Sequence, residues 1–298
     1  MSEEKIIVIG CSGYVGSHLY QYYKSKDSDT LGTTRQNLKG TSFCDLINPS
    51  LDFLNSDIKY TTAIICAAIP NIAKCENSPK ETFTQNVLGT LSLVQKLKEK
   101  NIKSVLFSSD VIFDGKEDLY LDDSIANPIN EYGSQKQLLE QLVPKICDDY
   151  LMIRLSKTYS VEIQDETFLH QLAKRIYDGE SIRAASDLVF NPININDVVK
   201  AIDLLIQNNC SGTYNVSGTE TTSWHLLANQ LASAIDLPQS SIEETSIDEF
   251  GGGASRAKKL NVQPKKLLSK FPDFKFSTID ENIQVLKKFY PSTTRIPK

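Results

Sequence analysis

A tyrosine and a lysine four residues apart, in Tyr132-Gly133-Ser134-Gln135-Lys136, are the residues of this chain best spaced to move a proton. Positions i and i+4 share one face of a helix, so the ammonium of Lys136 lies beside the phenol of Tyr132. A neighbouring cation favours phenolate and lowers a tyrosine pKa from about 10, toward a useful acid near neutrality. Taken alone, the pair is also what an ordinary helix surface carries. Three further stretches give it a setting.

The first is Gly10-Cys11-Ser12-Gly13-Tyr14-Val15-Gly16, between the apolar run Ile6-Ile7-Val8-Ile9 and the helical pattern from Ser17 to Tyr22. A strand, a glycine turn and a helix start bring backbone N–H groups up to a pyrophosphate. Gly10 serves the tight turn, Gly13 the close approach of a dinucleotide and Gly16 the packing of helix on strand. Ser12, Tyr14 and Val15 complete the phosphate-facing segment. The alternative is a glycine-rich turn that holds no ligand.

The second stretch, Thr30-Leu31-Gly32-Thr33-Thr34-Arg35, reads as the next strand, ending beside the adenosine ribose. A carboxylate there suits the ribose 2′-hydroxyl of NAD, whereas an arginine pairs with the 2′-phosphate of NADP. Arg35 favours NADP(H), with NAD(H) as the alternative cofactor. Asp45 and Leu46 are further candidates on the adenine side. In the third stretch, Ser104-Val105-Leu106-Phe107-Ser108-Ser109-Asp110, a buried strand delivers two hydroxyls and a carboxylate at its C-terminal end. Parallel sheets bind ligands at those ends. Strand alternation predicts that only one of Ser108 and Ser109 faces the ligand.

Together these residues resemble the extended short-chain dehydrogenase/reductase superfamily, and within it the dTDP-4-dehydrorhamnose reductase group of sugar-nucleotide reductases. The group's Ser-Thr-Asp-Tyr-Val-Phe-Asp-Gly signature is met by Ser108-Ser109-Asp110-Val111-Ile112-Phe113-Asp114-Gly115, and its Asn-x-Tyr-Gly-x-x-Lys by Asn130 to Lys136. The resemblance implies a catalytic set of Ser109, Tyr132 and Lys136. It implies cofactor contacts from Ala67, Ala68 and Ile69, with Asn86 ordering the catalytic centre, and substrate contacts from Ser109, Asp110, Lys157 and Arg256. It also implies an NADPH-dependent reduction of a keto group on a nucleotide-linked deoxysugar, the chemistry of polysaccharide biosynthesis. Two positions depart from the group: Val111 stands where the signature has Tyr, and Lys157 where rhamnose-forming reductases carry a substrate-facing Trp. An epimerase or dehydratase of the same fold is the alternative enzyme. A non-catalytic NADP-binding regulatory subunit, like that of methionine adenosyltransferase, is the alternative from another class.

Composition agrees. The 298 residues carry a formal net charge of −5, which leaves no broad basic surface for nucleic acid. Basic residues gather only in Arg256-Ala257-Lys258-Lys259 and Lys265-Lys266, compatible with an anionic small ligand or a solvated face. Six scattered cysteines without Cys-x-x-Cys spacing, no apolar leader and no apolar run of about 18 residues predict a cytoplasmic protein, neither exported nor membrane-spanning. His18, His170 and His225 lack metal-ligand spacing, and no metal site is expected.

To position the chemistry, strands at 5–9, 30–35, 62–67, 103–108 and 150–154 alternate with helices near 14–25, 78–100 and 131–147. That order predicts an α/β fold with a doubly wound parallel sheet and a smaller C-terminal substrate lobe. Residues 1–160 form the cofactor-binding domain, 180–210 return to it, and 161–298 mainly build the substrate lobe. Trp224 opens a helical apolar stripe with Leu227 and Leu231 and reads as core. Gly251-Gly252-Gly253 reads as a loop able to fold over a nucleotide diphosphate. A homodimer is compatible with the family.

Overall fold

The computed structural model describes residues 4–36, 38–235, 242–250 and 255–290, so the glycine loop 251–253 lies outside the described residues. The apolar runs form strands β1 (Ile6–Ile9), β2 (Leu31–Thr34), β3 (Ser42–Phe43), β4 (Thr62–Ile65), β5 (Lys103–Ser109) and β6 (Tyr150–Leu155). With Gly212–Val216 they make a seven-stranded sheet ordered 212–216, β6, β5, β4, β1, β2, β3. Every pairing in it is parallel.

Alternation along β1 shows why such continuous apolar runs are needed. Ile6 and Val8 enter one core with helix α1 (Tyr14–Lys26) and helix Ile195–Gln207, while Ile7 and Ile9 enter another with helices Thr90–Glu99 and Glu131–Ile146. A parallel sheet covered on both faces can carry apolar residues at every position. The chain leaves β1 toward β2 on one side and β4 on the other. This reversal opens a crevice at the C-terminal ends of the strands.

A third core joins helices Phe168–Tyr177, Trp224–Ala234 and Ile279–Lys287. Short strand pairs, Ile182–Ala185 with Ile242–Thr245 and Val189–Phe190 with Thr222–Ser223 and Lys259–Leu260, complete this second lobe. Of the stretch 180–210, the part from Ile193 on packs against the main sheet, and strand Gly212–Val216, just beyond it, joins that sheet beside β6. Ile182, Ala184 and Phe190 pack in the second lobe, whereas Ile193 and helix Ile195–Gln207 cover the sheet.

The stretch read as one helix over 78–100 is in fact Pro79–Phe83, a π-helical turn Thr84–Gly89, and Thr90–Glu99. The wide turn directs the buried Asn86 at a backbone loop: its Oδ1 accepts from the Ile69 amide at 2.7 Å and its Nδ2 donates to the Ile69 carbonyl at 3.0 Å. π-turns of this kind recur where a helix serves a site.

Candidate active site

A cavity of about 810 Å³ lies at the crevice between the lobes. Its walls are the turn after β1 (Gly13 to Gly16), the ends of β4 and β5, the start of helix Glu131–Ile146, residues 155–158 after β6, and Trp224, Arg256 and Ala257 from the second lobe.

Each glycine of the first turn has a separate physical reason. Gly10 holds φ +87°, and a Cβ there would stand 2.7 Å from the Ala67 amide nitrogen. A Cβ on Gly16 would meet the Gly10 carbonyl oxygen at 2.2 Å. Gly13 has no such neighbour; the nearest atom to its Cβ position is 3.5 Å away, in ordinary contact, and the residue opens on the cavity. No side chain caps the first turn of α1. An uncapped helix N-terminus beside an open glycine suits a phosphate group, so these residues fit a dinucleotide.

The hydroxyl, phenol and ammonium come together at the other end of the crevice. Asn130 caps helix Glu131–Ile146, accepting from the Gly133 amide at 2.8 Å. Gly133 lets the helix start press against the turn after β5: a Cβ would fall 2.4 Å from the Val111 carbonyl oxygen. The helix is anchored further along by Arg154 and Glu140, both nearly buried, whose guanidinium donates to the carboxylate at 3.0 and 2.8 Å. Tyr132 and Lys136 then face the cavity, with the ammonium 5.6 Å from the phenol ring centre.

The electrostatics differ from the simplest expectation. Lys136 donates to the Phe107 carbonyl at 2.8 Å, and burial lowers its pKa to about 8. Burial pushes the Tyr132 phenol up, and the nearby Asp110 carboxylate adds to the rise. The phenol is therefore held protonated rather than drawn toward phenolate, because desolvation outweighs an ammonium turned to a backbone oxygen. Asp110 is raised to about 6, chiefly by burial, with the Ser109 hydroxyl opposing. Ser109 donates to Asp110 Oδ1 at 3.0 Å.

Ser108 also lines the cavity, and its buried hydroxyl has no partner among the described residues. The expectation of one serine facing the ligand does not hold, because the cavity crosses the tip of β5 instead of following one face of it.

Residues 4–286 match the family described as the RmlD substrate binding domain. The chain belongs to this family. It is 22% identical over 255 residues, 85% of this chain and 86% of the relative, to a dTDP-4-keto-6-deoxy-D-glucose reductase of Streptomyces niveus. It is also 22% identical over 272 residues, 88% of this chain and 84% of the relative, to methionine adenosyltransferase 2 subunit beta of Danio rerio. Among solved structures, dTDP-4-dehydrorhamnose reductase of Bacillus anthracis in complex with NADP superposes with a TM-score of 0.81 at 22% identity, covering 95% of this chain and 98% of that one.

Of the other residues expected from the sequence, Tyr14, Val15, Ala68, Asp110, Lys157 and Arg256 line the cavity of this RmlD-family chain. Gly10, Ser12, Ala67 and Ile69 support its rim, and Ser12 Oγ lies 2.8 Å from Thr34 Oγ1. Arg35 is exposed at the end of β2, and among the described residues its guanidinium donates to the neutral Gln85 amide oxygen at 3.3 Å. Asp45 accepts from the Ile47 amide in its own turn, and Leu46 is core, its carbonyl pressed on Gly89. These two, with Asn86, stand away from the cavity wall.

Trp224, read as core, is half-buried and reaches the cavity while packing on Phe168 at 5.2 Å. Helical spacing placed it on an apolar stripe, and nothing in that spacing separates a core tryptophan from one at the edge of a core. The basic run also resolves: Arg256 faces the cavity, but Lys258 is bound by Asp187 at 3.0 Å and Asp248 at 2.5 Å.

Proposed function

We propose that this chain reduces a keto group on a nucleotide-linked deoxysugar at the expense of NADPH, with Tyr132 as proton donor. What supports the reading most is a single juxtaposition: Ser109, Tyr132 and Lys136 line the same crevice as the open turn at Gly13. The names of the reductase relatives supply the sugar-nucleotide class.

A nicotinamide cofactor, when bound, supplies the hydride. The turn from Gly13 to Gly16 would hold its pyrophosphate, and the Arg35 guanidinium, which has no ion-paired carboxylate among the described residues, suits a 2′-phosphate. Ser109 orients the substrate oxygen by turning its hydroxyl from Asp110 to the carbonyl. Tyr132 keeps its proton at neutral pH and releases it to that oxygen as negative charge develops there. Positioned proton donation of this kind contributes about 10²–10⁴-fold in rate. Lys136 spends one N–H on the Phe107 carbonyl and keeps two for ribose and phenol.

The test is a panel of nucleotide-linked keto-sugars incubated with NADPH. Stoichiometric cofactor consumption with one of them is expected. Product formation with the cofactor unchanged would instead mark an epimerase. The similarity to methionine adenosyltransferase 2 subunit beta carries a second reading, an NADP-binding regulatory subunit. Co-purification with a stoichiometric synthetase, and no reduction across the panel, would decide for it.

A further inference from the structure

Lys157 is a cation that the fold clamps but does not neutralise. It follows β6 and opens on the cavity, where its ammonium stands 5.0 Å from the centre of the Phe168 ring and 5.2 Å from that of Trp224. Aromatic faces hold a cation through their quadrupole and leave its charge available. The other lysine in the wall, Lys136, donates to a backbone oxygen. The Lys157 ammonium has no hydrogen-bonded or ion-paired oxygen among the described residues. Asp110 is the one carboxylate among the residues lining the cavity, and it takes the Ser109 hydroxyl.

Its place along the crevice is also defined. Asp110 acts electrostatically on both Tyr132 and Lys157, and Arg256 acts on Lys157 from the second lobe. Lys157 therefore shares the Asp110 region of the cavity with Tyr132. Burial lowers its pKa, and the Asp110 carboxylate, taken up by the Ser109 hydroxyl, offsets this only in part.

We infer that Lys157, packed against the edge-to-face pair of Phe168 and Trp224, is the specificity-determining residue of the substrate pocket and binds an anionic group of the substrate. Resting on the sugar-nucleotide reading above, that group is either the diphosphate of the nucleotide or a carboxylate on the sugar. A ligand neutral at this point leaves the ammonium desolvated and unpaired, and is selected against.

The experiment is calorimetric titration of the NADPH-loaded protein with UDP, dTDP, their glucose conjugates and UDP-glucuronate, using the wild type, Lys157→Met and Lys157→Arg. Loss of one charge-assisted contact predicts about 10- to 100-fold weaker binding to Lys157→Met and a change of only a few-fold for Lys157→Arg. A loss shared by the free nucleoside diphosphates assigns the diphosphate. One confined to UDP-glucuronate assigns the sugar carboxylate. Added salt should weaken wild-type binding more than that of Lys157→Met. Equal affinities of wild type and Lys157→Met for every ligand, with NADPH binding unchanged, would overturn this inference alone. A wild type that binds none of the nucleotides would overturn the sugar-nucleotide reading, and this inference with it.

Discussion

The two sides of the crevice are built on different principles. On the sheet side, each element of the site is a short contiguous stretch whose geometry is enforced by backbone contacts, as at Gly10, Gly16 and Gly133. Opposite it, Phe168, Trp224 and Arg256 come from separate segments and meet Lys157, just after β6, only through tertiary packing. If the proposed function holds, local constraint marks the proton-transfer chemistry, and long-range juxtaposition marks the choice of substrate.

The largest expected effect tests the sheet side. Tyr132→Phe should keep NADPH binding and lower turnover by about 10²–10⁴-fold in single-turnover assays. Near wild-type reduction by this variant would remove the phenol from the mechanism. Next in size is the anchor of the same helix: Glu140→Ala leaves Arg154 buried without its carboxylate. Chemical denaturation should report a loss of about 3–5 kcal/mol.

A smaller effect tests the other side. Trp224→Ala should raise KM for the sugar nucleotide about tenfold while leaving NADPH affinity within a factor of two, as expected when one aromatic wall of a cation is lost. Equal losses for cofactor and sugar nucleotide would break the division between the two sides.

The smallest effects are in pH. Lys136 has a lowered pKa, so it is charged below about 8 and neutral above. The rate should fall as pH rises through that value. Asp110 has a raised pKa, so its contribution to stability is fully present below about 4 and is lost as pH rises through about 6. Asp110→Asn should flatten thermal stability across that window, and an unchanged profile would place the titration elsewhere.

The same division explains what was legible in the sequence. The five principal strands, the glycine turn and the Tyr132–Lys136 pair follow from residue spacing because alternation, φ and helix periodicity are local properties. Strand Ser42–Phe43 was not read, since two residues give no alternation to detect. The π-turn at Thr84–Gly89 has no distinct spacing signal, and its function shows only once Asn86 meets Ile69. Trp224 packs against the third core as its helical spacing predicts, but its second contact, with the cavity beside Lys157, 67 positions earlier in the chain, is invisible to that spacing.

The return of Ile193–Val216 to the main sheet governs how the protein is made. Strand Gly212–Val216 forms one edge beside β6, and helix Ile195–Gln207 covers a face of the sheet partly exposed until then. Leu267 and Phe276 seal the same core from still later in translation. A nascent chain ending near residue 160 thus carries an apolar face covered only in part, by α1, and truncation there should yield an aggregation-prone product.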